Sequence, residues 1–247
     1  MTIESDRDLA GLRAVGRVVA LALGEMKAAL KPGMTTAELD AVGAAVFDRY
    51  GARSAPRLAY GFPGVNLISV NDEAVHGIPG ARVVRAGDLV KIDVTAEMGG
   101  YVADAAVTVA LPPGPSVNEE LRDCAELAFE RAASVARAGR PVNKIGRAVE
   151  TLVRRRGFVV MTDLNGHGVG REIHEPPTIP NFFDRRLKCP LTEGLVITIE
   201  PIITTGSGRT VEGPDGWTIS TADGSPAAHH EHTLVITKGS PIVLTAA

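Results

Sequence analysis

Acidic residues within apolar, strand-like segments are the feature that most restricts how this chain can fold. Five potential metal ligands occur in such segments: Asp93, Asp104, His167, Glu200 and Glu231. Four carboxylates that share a dry interior repel one another strongly enough to take up protons or move apart, unless cations neutralise them. If these segments converge, the sequence predicts a metal-dependent enzyme.

The first acidic pair lies in a predicted β-hairpin. A turn centred on the Met98–Gly99 bond would join two β-rich segments at 91–96 and 101–110. This register places Asp93 directly opposite Asp104, close enough for both carboxylates to hold the same cation or two adjacent ones. A slip of one residue would send them to opposite faces.

The second acidic pair has a similar arrangement over a longer distance. Glu200 follows the β-rich segment 194–199, and Glu231 precedes the segment 233–237. Their midpoint falls in the turn-forming stretch 213–216. We therefore expect these two glutamates to face each other across an irregular hairpin.

The histidines occur in three contexts. His167 lies in the glycine-rich stretch 165–170, where the backbone can approach a ligand closely, and His174 follows seven residues later. His76 lies in a tight apolar turn at 75–80. The other three histidines surround Glu231, and we interpret them as supporting structure, with His232 facing away from Glu231 across the strand: His229, His230 and His232.

The pattern of helices and strands predicts an α+β protein with a single catalytic domain, 1–247, built from two similar halves at about 5–110 and 116–240. Each half begins with two helices and continues with strands, and the second helices match at an offset of 106 residues. Helices covering one face of a shared sheet would leave the other face for a site that draws ligands from both halves.

Local signals mark the ends of these helices. The first half has a helix at 5–30 and a capping box at Thr35 that starts a second helix ending near Tyr50. Strands and turns are predicted from Arg57 onward. In the second half a capping box at Ser116 is predicted, with helices that end near Ala138 and at the basic run 154–156.

Composition excludes several classes of protein. The net charge of −3 gives no general attraction to nucleic acid or to anionic membranes. Only two cysteines occur, too few for a disulfide framework or a zinc finger, which favours a reducing compartment. The polar start, residues 1–6, lacks the pattern of a secretory signal, and no apolar stretch is long enough to span a bilayer. We expect a cytoplasmic protein.

Several motifs together resemble the type I methionine aminopeptidases, and the resemblance covers nearly the whole chain in the order of the family. The motifs are NDEAVHGIP at 71–79, KIDVT at 91–95, GHGVGR at 166–171 followed by His174 and Glu175, TIEP at 198–201, and EHT at 231–233.

This resemblance implies a pita-bread fold with a central dinuclear metal site that removes the initiator methionine from nascent polypeptides by attack of metal-activated water. It implies that Asp93 binds one cation, His167 and Glu200 the other, and Asp104 and Glu231 both. The ligand types suit two divalent ions of cobalt, manganese, iron or zinc.

The resemblance also implies roles around the metals. Glu200 would be the general base, His174 would steady the oxyanion, and His76 would position the substrate. Phe62 and Trp217 would line the methionine pocket, in which Ile173 stands where many members have an aromatic residue. Thr95 would form a hydrogen bond to the ligand shell.

Two alternatives share this fold. A proline-directed aminopeptidase would usually carry an added N-terminal domain and a further histidine a few residues before His167, where this chain has residues 163–165. A non-catalytic peptide-binding module would have lost ligands, and none is substituted. We further expect a monomer that contacts the ribosome transiently and binds neither a specific nucleic acid nor a membrane.

Overall fold

The computed structural model describes residues 1–246 of the chain, which contain helices and strands in alternating groups. The helices are α1 (Asp6–Ala29), α2 (Thr36–Tyr50), α3 (Ala55–Tyr60), α4 (Ser116–Ala133) and α5 (Asn143–Arg155). The strands of the first half are β1 (Arg53–Ser54), β2 (Leu67–Val70), β3 (Glu73–Val75), β4 (Leu89–Met98) and β5 (Tyr101–Ala110). Those of the second half are β6 (Val159–Val160), β7 (Gly166–Gly168), β8 (Glu175–Ile179), β9 (Val196–Ile199), β10 (Ile202–Thr204), β11 (Thr210–Glu212), β12 (Ile219–Thr221), β13 (Ala227–His229), β14 (Glu231–Val235) and β15 (Ile242–Val243).

A nine-stranded antiparallel sheet contains strands from both halves. Its main order is β1-β4-β5-β14-β9-β7-β8, so the β5–β14 pairing joins the halves directly. Helices α1 and α2 belong to one large apolar cluster with β4 and β5, while α4 and α5 belong to a second cluster with β9 and β10. The α+β prediction is confirmed, and each half contributes its own helical cover.

The helix ends follow local chemistry in most places. Ser5 caps α1 by accepting a hydrogen bond from the Asp8 amide, and Thr35 and Glu38 form the predicted capping box of α2. The predicted box at Ser116 is wrong, because Pro115 occupies the N-cap position and no side chain caps α4. The same helix ends at Ala133 and not near Ala138, and a turn completes the segment.

The internal repeat is visible in backbone geometry. Gly33 and Gly139, which match at the offset of 106, both have positive φ, and so do Gly51 and Gly157. A positive φ is easily adopted only by glycine, so these residues end or precede the helices of each half at the same points. The weak sequence echo therefore corresponds to a shared set of turns.

The β4–β5 hairpin has a different register from the predicted one. Its turn is Gly99-Gly100, both with positive φ, and Asp93 pairs with Ala106 while Asp104 pairs with Thr95. A two-residue turn of this kind requires positive φ at both central positions, which explains why the glycines and not Met98 form it. The difference is two residues, so both aspartates keep the same face of the sheet.

The second acidic pair has the predicted register. His232 pairs with Ile199 on one side of it, and His229 pairs with Ile202 on the other. Both ladders have the same register. Glu200 therefore lies opposite Glu231, between the two paired segments. The intervening chain folds back as the β11–β12 hairpin, whose turn contains the predicted segment 213–216.

The strands predicted from Arg57 onward begin later than expected. Helix α3 occupies this region, capped by Ser54 at its start and ended by Gly61 in the left-handed conformation. Pro56 in its first turn suits a helix start. In the described part of the chain, no helix combines the length and apolar character that crossing a membrane requires.

Candidate active site

One cavity of about 300 Å³ contains every residue that the sequence predicted for the site. The side chains from the first half are His76, Phe62, Asp93 and Asp104, and those from the second half are His167, His174, Glu200, Trp217 and Glu231. Residues from both halves of the chain therefore meet in one cavity, and the β5–β14 pairing joins the two halves. A larger cleft between α4 and α5 is lined mainly by arginines and contains none of these residues.

Two clusters of donor atoms lie side by side in the cavity. The first contains Asp93, His229 and Glu231, and the second contains Asp104, His167 and Glu231, with the donor atoms of each within 4.8 Å of one another. Glu231 belongs to both. Glu200 adjoins the second cluster, because its Oε1 lies 3.5 Å from Nε2 of His167.

Without a bound cation, burial disfavours the charged form of these carboxylates. The pKa of Asp93 is raised well above its usual value by burial and by the nearby Asp104 and Glu200. Burial and the Asp104 charge raise the pKa of Glu200, and burial with the surrounding acids raises that of Glu231. Burial raises the pKa of Asp104 to about 6. This is the response expected of carboxylates that share a dry site.

Threonine hydroxyls hold the carboxylates in place. Thr95 donates to Oδ1 of Asp104 over 2.8 Å, which is the predicted contact with the ligand shell. Thr198 donates to Oε1 of Glu200 over 2.9 Å and accepts from the His167 amide. These contacts fix the side chains before any ligand binds.

The imidazole of His167 is held in one tautomer. Its Nδ1 lies 2.9 Å from the carbonyl oxygen of Gly168, which can only accept, so Nδ1 carries the proton. The other nitrogen, Nε2, then carries no proton, and its lone pair can bind a metal ion. This nitrogen faces Glu200. This is the form of histidine that binds a metal.

His76 and His174 approach the clusters from another side. His76 has a positive φ of 60°, unusual for a residue with a side chain, and burial lowers its pKa to about 4. His174 is exposed at the mouth of the cavity, and its ring centroid lies 4.2 Å from that of His167. Its Nδ1 is 2.6 Å from the hydroxyl of Tyr60.

Tyr60 is a cavity residue that the sequence reasoning did not identify. It ends α3, and Gly61 then turns the chain so that Phe62 also enters the cavity. The sequence did not reveal this position, because α3 itself was not predicted.

Aromatic and apolar side chains form the remaining wall. Phe62 is fully buried and meets the half-buried Trp217 edge to face, with the ring centroids 5.2 Å apart. The apolar lining is completed by Pro56, Leu67, Val75, Leu164, Ile173 and Ile202. Such a surface suits an apolar side chain with a polarisable atom.

His229 is a second cavity residue that the sequence did not identify. It was interpreted as supporting structure, yet its side chain is 2% exposed and lines the cavity. His232 does face away, as predicted, and contacts Thr245 and Phe129. The available signal was the spacing of two between His229 and Glu231, which places both on one face of an extended chain.

The unpartnered atoms of the cavity fit a bound cation. Within residues 1–246, five buried side-chain polar atoms lack a hydrogen-bond partner, and four of them belong to Asp93, His229 and Glu231. Buried polar groups are rarely left unpaired, so each such atom calls for a ligand. Carboxylate oxygens with imidazole nitrogens are a donor set suited to divalent transition metals.

Comparison with known proteins agrees with this geometry. Residues 10–238 match the model of metallopeptidase family M24. The chain belongs to this family. Methionine aminopeptidase 2 of Bacillus subtilis (strain 168) is 47% identical over 247 residues, covering 99% of each chain.

Solved structures of two methionine aminopeptidases share the whole fold. The methionine aminopeptidase of Thermotoga maritima superimposes with a TM-score of 0.96 at 33% identity, covering 100% of both chains. That of Rickettsia prowazekii gives a TM-score of 0.94 at 31% identity, covering 99% of this chain and all of the other. The pita-bread prediction is confirmed, and membership in this metallopeptidase family agrees with a divalent metal in the cavity.

Proposed function

We propose that this M24 peptidase is a methionine aminopeptidase that releases the N-terminal methionine of peptides and nascent polypeptides. The observation that carries the proposal is the composition of one cavity. It combines buried metal donors, two histidines beside them and an aromatic wall. The full-length similarity to methionine aminopeptidases supports it.

We assign two divalent transition-metal ions to the cavity, of cobalt, manganese, iron or zinc. Asp93 would hold one ion, His167 and Glu200 the other, and Asp104 and Glu231 both. Membership of Glu231 in both donor clusters supports the shared role. When bound, the metals lower the pKa of a water molecule and polarise the scissile carbonyl group.

The protein side chains supply proton transfer and orientation. Glu200 is the proposed general base, since its carboxylate adjoins the second donor cluster and a hydrogen bond from Thr198 to its Oε1 orients it. With the Tyr60 hydroxyl donating to Nδ1 of His174, the Nε2 of this histidine carries a proton. That N–H can donate to the developing oxyanion.

His76 and the aromatic wall position the substrate. Burial keeps His76 neutral near pH 7, so that it can form a hydrogen bond to the peptide without adding charge. Phe62 and Trp217 would contact the methionine side chain, in which sulfur and aromatic rings attract each other by roughly 0.3–1.5 kcal/mol. Ile173 adds apolar area beside His174.

The proposed substrates place the protein in the cytoplasm, where nascent polypeptides emerge. We further propose that it acts as a monomer and contacts the ribosome only transiently. Light scattering would test the first point, and cosedimentation with ribosomes at two salt concentrations would test the second.

Hydrolysis of short peptides by metal-free protein reconstituted with each metal tests the main proposal. Peptides that begin with Met-Ala and Met-Gly should be cleaved after methionine, while Ala-Ala and Xaa-Pro peptides should be poor substrates. Preferential cleavage of Xaa-Pro bonds would instead show a proline-directed enzyme. Peptide binding without hydrolysis under any metal would show a binding module.

A further inference from the structure

His229 is fixed at the back of the cavity by its backbone. Its amide donates to the Thr108 hydroxyl over 2.9 Å, and its carbonyl oxygen accepts from the same hydroxyl over 2.7 Å. The pairing of His229 with Ile202 also sets its register. The imidazole therefore enters the cavity from a strand whose hydrogen bonds fix its position, as a binding group requires.

Neither nitrogen of this buried ring has a hydrogen-bond partner within residues 1–246. Nε2 lies 3.4 Å from Oε2 of Glu231 and 3.8 Å from Oε2 of Glu200. Both distances exceed those of ordinary hydrogen bonds between nitrogen and oxygen. A buried imidazole with no partner is costly, so the position needs a ligand to explain it.

The neighbours of His229 identify the kind of ligand. Asp93 and Glu231, whose donor atoms lie within 4.8 Å of those of His229, each have an unpartnered oxygen as well. Two ligands at about 2.1 Å from one ion, at the angles of a tetrahedral or octahedral site, lie roughly 3.0–3.4 Å apart. The separation of His229 and Glu231 agrees with this value, whereas that of His229 and Glu200 is longer.

We propose that His229 is a nitrogen ligand of the metal ion held by Asp93 and Glu231. The proposal rests on the metal site of the proposed function and extends its ligand set. With His229, each donor cluster contains one imidazole and two carboxylates. An added imidazole shifts preference from manganese toward iron, cobalt and zinc, since sites made only of oxygen suit the harder ions.

Cobalt(II) added to the metal-free protein provides a direct test. The exchangeable N–H protons of imidazoles bound to paramagnetic cobalt(II) give strongly shifted resonances in proton NMR, one for each bound ring. We expect two such resonances in the fully loaded wild-type protein, from His167 and His229, and one in His229→Gln. Titration calorimetry should show at least a tenfold weaker affinity for one of the two cobalt equivalents in this variant.

His230→Gln is the matched control, because His230 is the neighbouring histidine and its ring contacts Phe129 and His232. It should keep both resonances and both affinities. A single shifted resonance in the loaded wild-type protein would overturn the proposal even if His229→Gln did not fold. Failure of the wild-type protein to bind any cobalt would overturn the metal site of the proposed function as well.

Discussion

The hydroxyl of Tyr60 lies 2.6 Å from Nδ1 of His174, which connects the end of α3 to the loop that follows the proposed metal ligand His167. Burial raises the pKa of Tyr60, so the phenol keeps its proton near neutral pH. The hydrogen bond orients an exposed histidine at the mouth of the cavity and determines which of its nitrogens faces the substrate.

Tyr60→Phe should therefore lower kcat about two- to tenfold, the range expected for loss of one hydrogen bond, and leave metal content unchanged. Steady-state kinetics with a Met-Ala peptide would measure this. Tyr50→Phe is the control, because Tyr50 is similarly exposed at the end of α2 and lies outside the cavity lining. Equal activity of Tyr60→Phe and wild type would show that the Tyr60 hydroxyl does not orient His174 for catalysis.

His174→Ala should lower kcat by roughly two to three powers of ten, the loss seen when one oxyanion donor is removed. His174 belongs to neither donor cluster, so both metal equivalents should remain bound. Elemental analysis after gel filtration would check this. Loss of a metal equivalent would show that His174 is a ligand instead.

Asp104→Asn should reduce bound metal and abolish most activity, yet raise the melting temperature of chelator-treated protein near neutral pH. The raised pKa of Asp104 means that its charged form is disfavoured by burial in the folded protein. Asparagine removes that charge while its side-chain oxygen can still accept from Thr95. Thermal unfolding and metal analysis together measure both effects.

Asp163→Asn is the control for this variant, since Asp163 lines the cavity but belongs to neither donor cluster. It should change neither metal content nor the stability of the metal-free protein. A lower melting temperature of metal-free Asp104→Asn than of metal-free wild type would contradict the proposed cost of burying this charge.

Gly77→Ala should lower kcat/KM about 10- to 100-fold by displacing His76, the size of effect that follows small misplacement of a catalytic group. A methyl group at Gly77 would lie 2.2 Å from the carbonyl oxygen of Ile68, so the backbone must move. Gly80→Ala meets no atom within 4 Å and should behave as wild type. Kinetics and melting temperatures of both variants would be compared.

Trp217→Leu should lower kcat/KM for methionine peptides by about two- to tenfold, in line with the loss of a sulfur–aromatic contact. The loss should be smaller for norleucine peptides, which lack sulfur. Phe183→Leu, which removes a ring stacked under Arg147 and outside the cavity lining, serves as the control. An equal loss for both peptides would show that Trp217 contributes only apolar area.

The sequence by itself identified the acidic residues that line the cavity. Asp93 and Asp104 could be assigned to one hairpin from local patterns alone, and they share a face because a difference of two residues in register preserves the side of the sheet. The capping box at Thr35 and the repeated glycine turns were likewise local features. Such features depend on neighbouring residues, which the sequence shows directly.

Only the tertiary structure decided which of the remaining residues join the site. His229 enters the cavity because its strand pairs with Ile202, and Tyr60 does so because a short helix and Gly61 direct it toward His174. Both depend on contacts between segments more than 20 residues apart. The spacing of two between His229 and Glu231 indicated a shared face, but it did not indicate that this face lines the cavity. The structure also decided the register of the β4–β5 hairpin at Asp93. A two-glycine turn sets this register, because its backbone matches the twist of the paired strands.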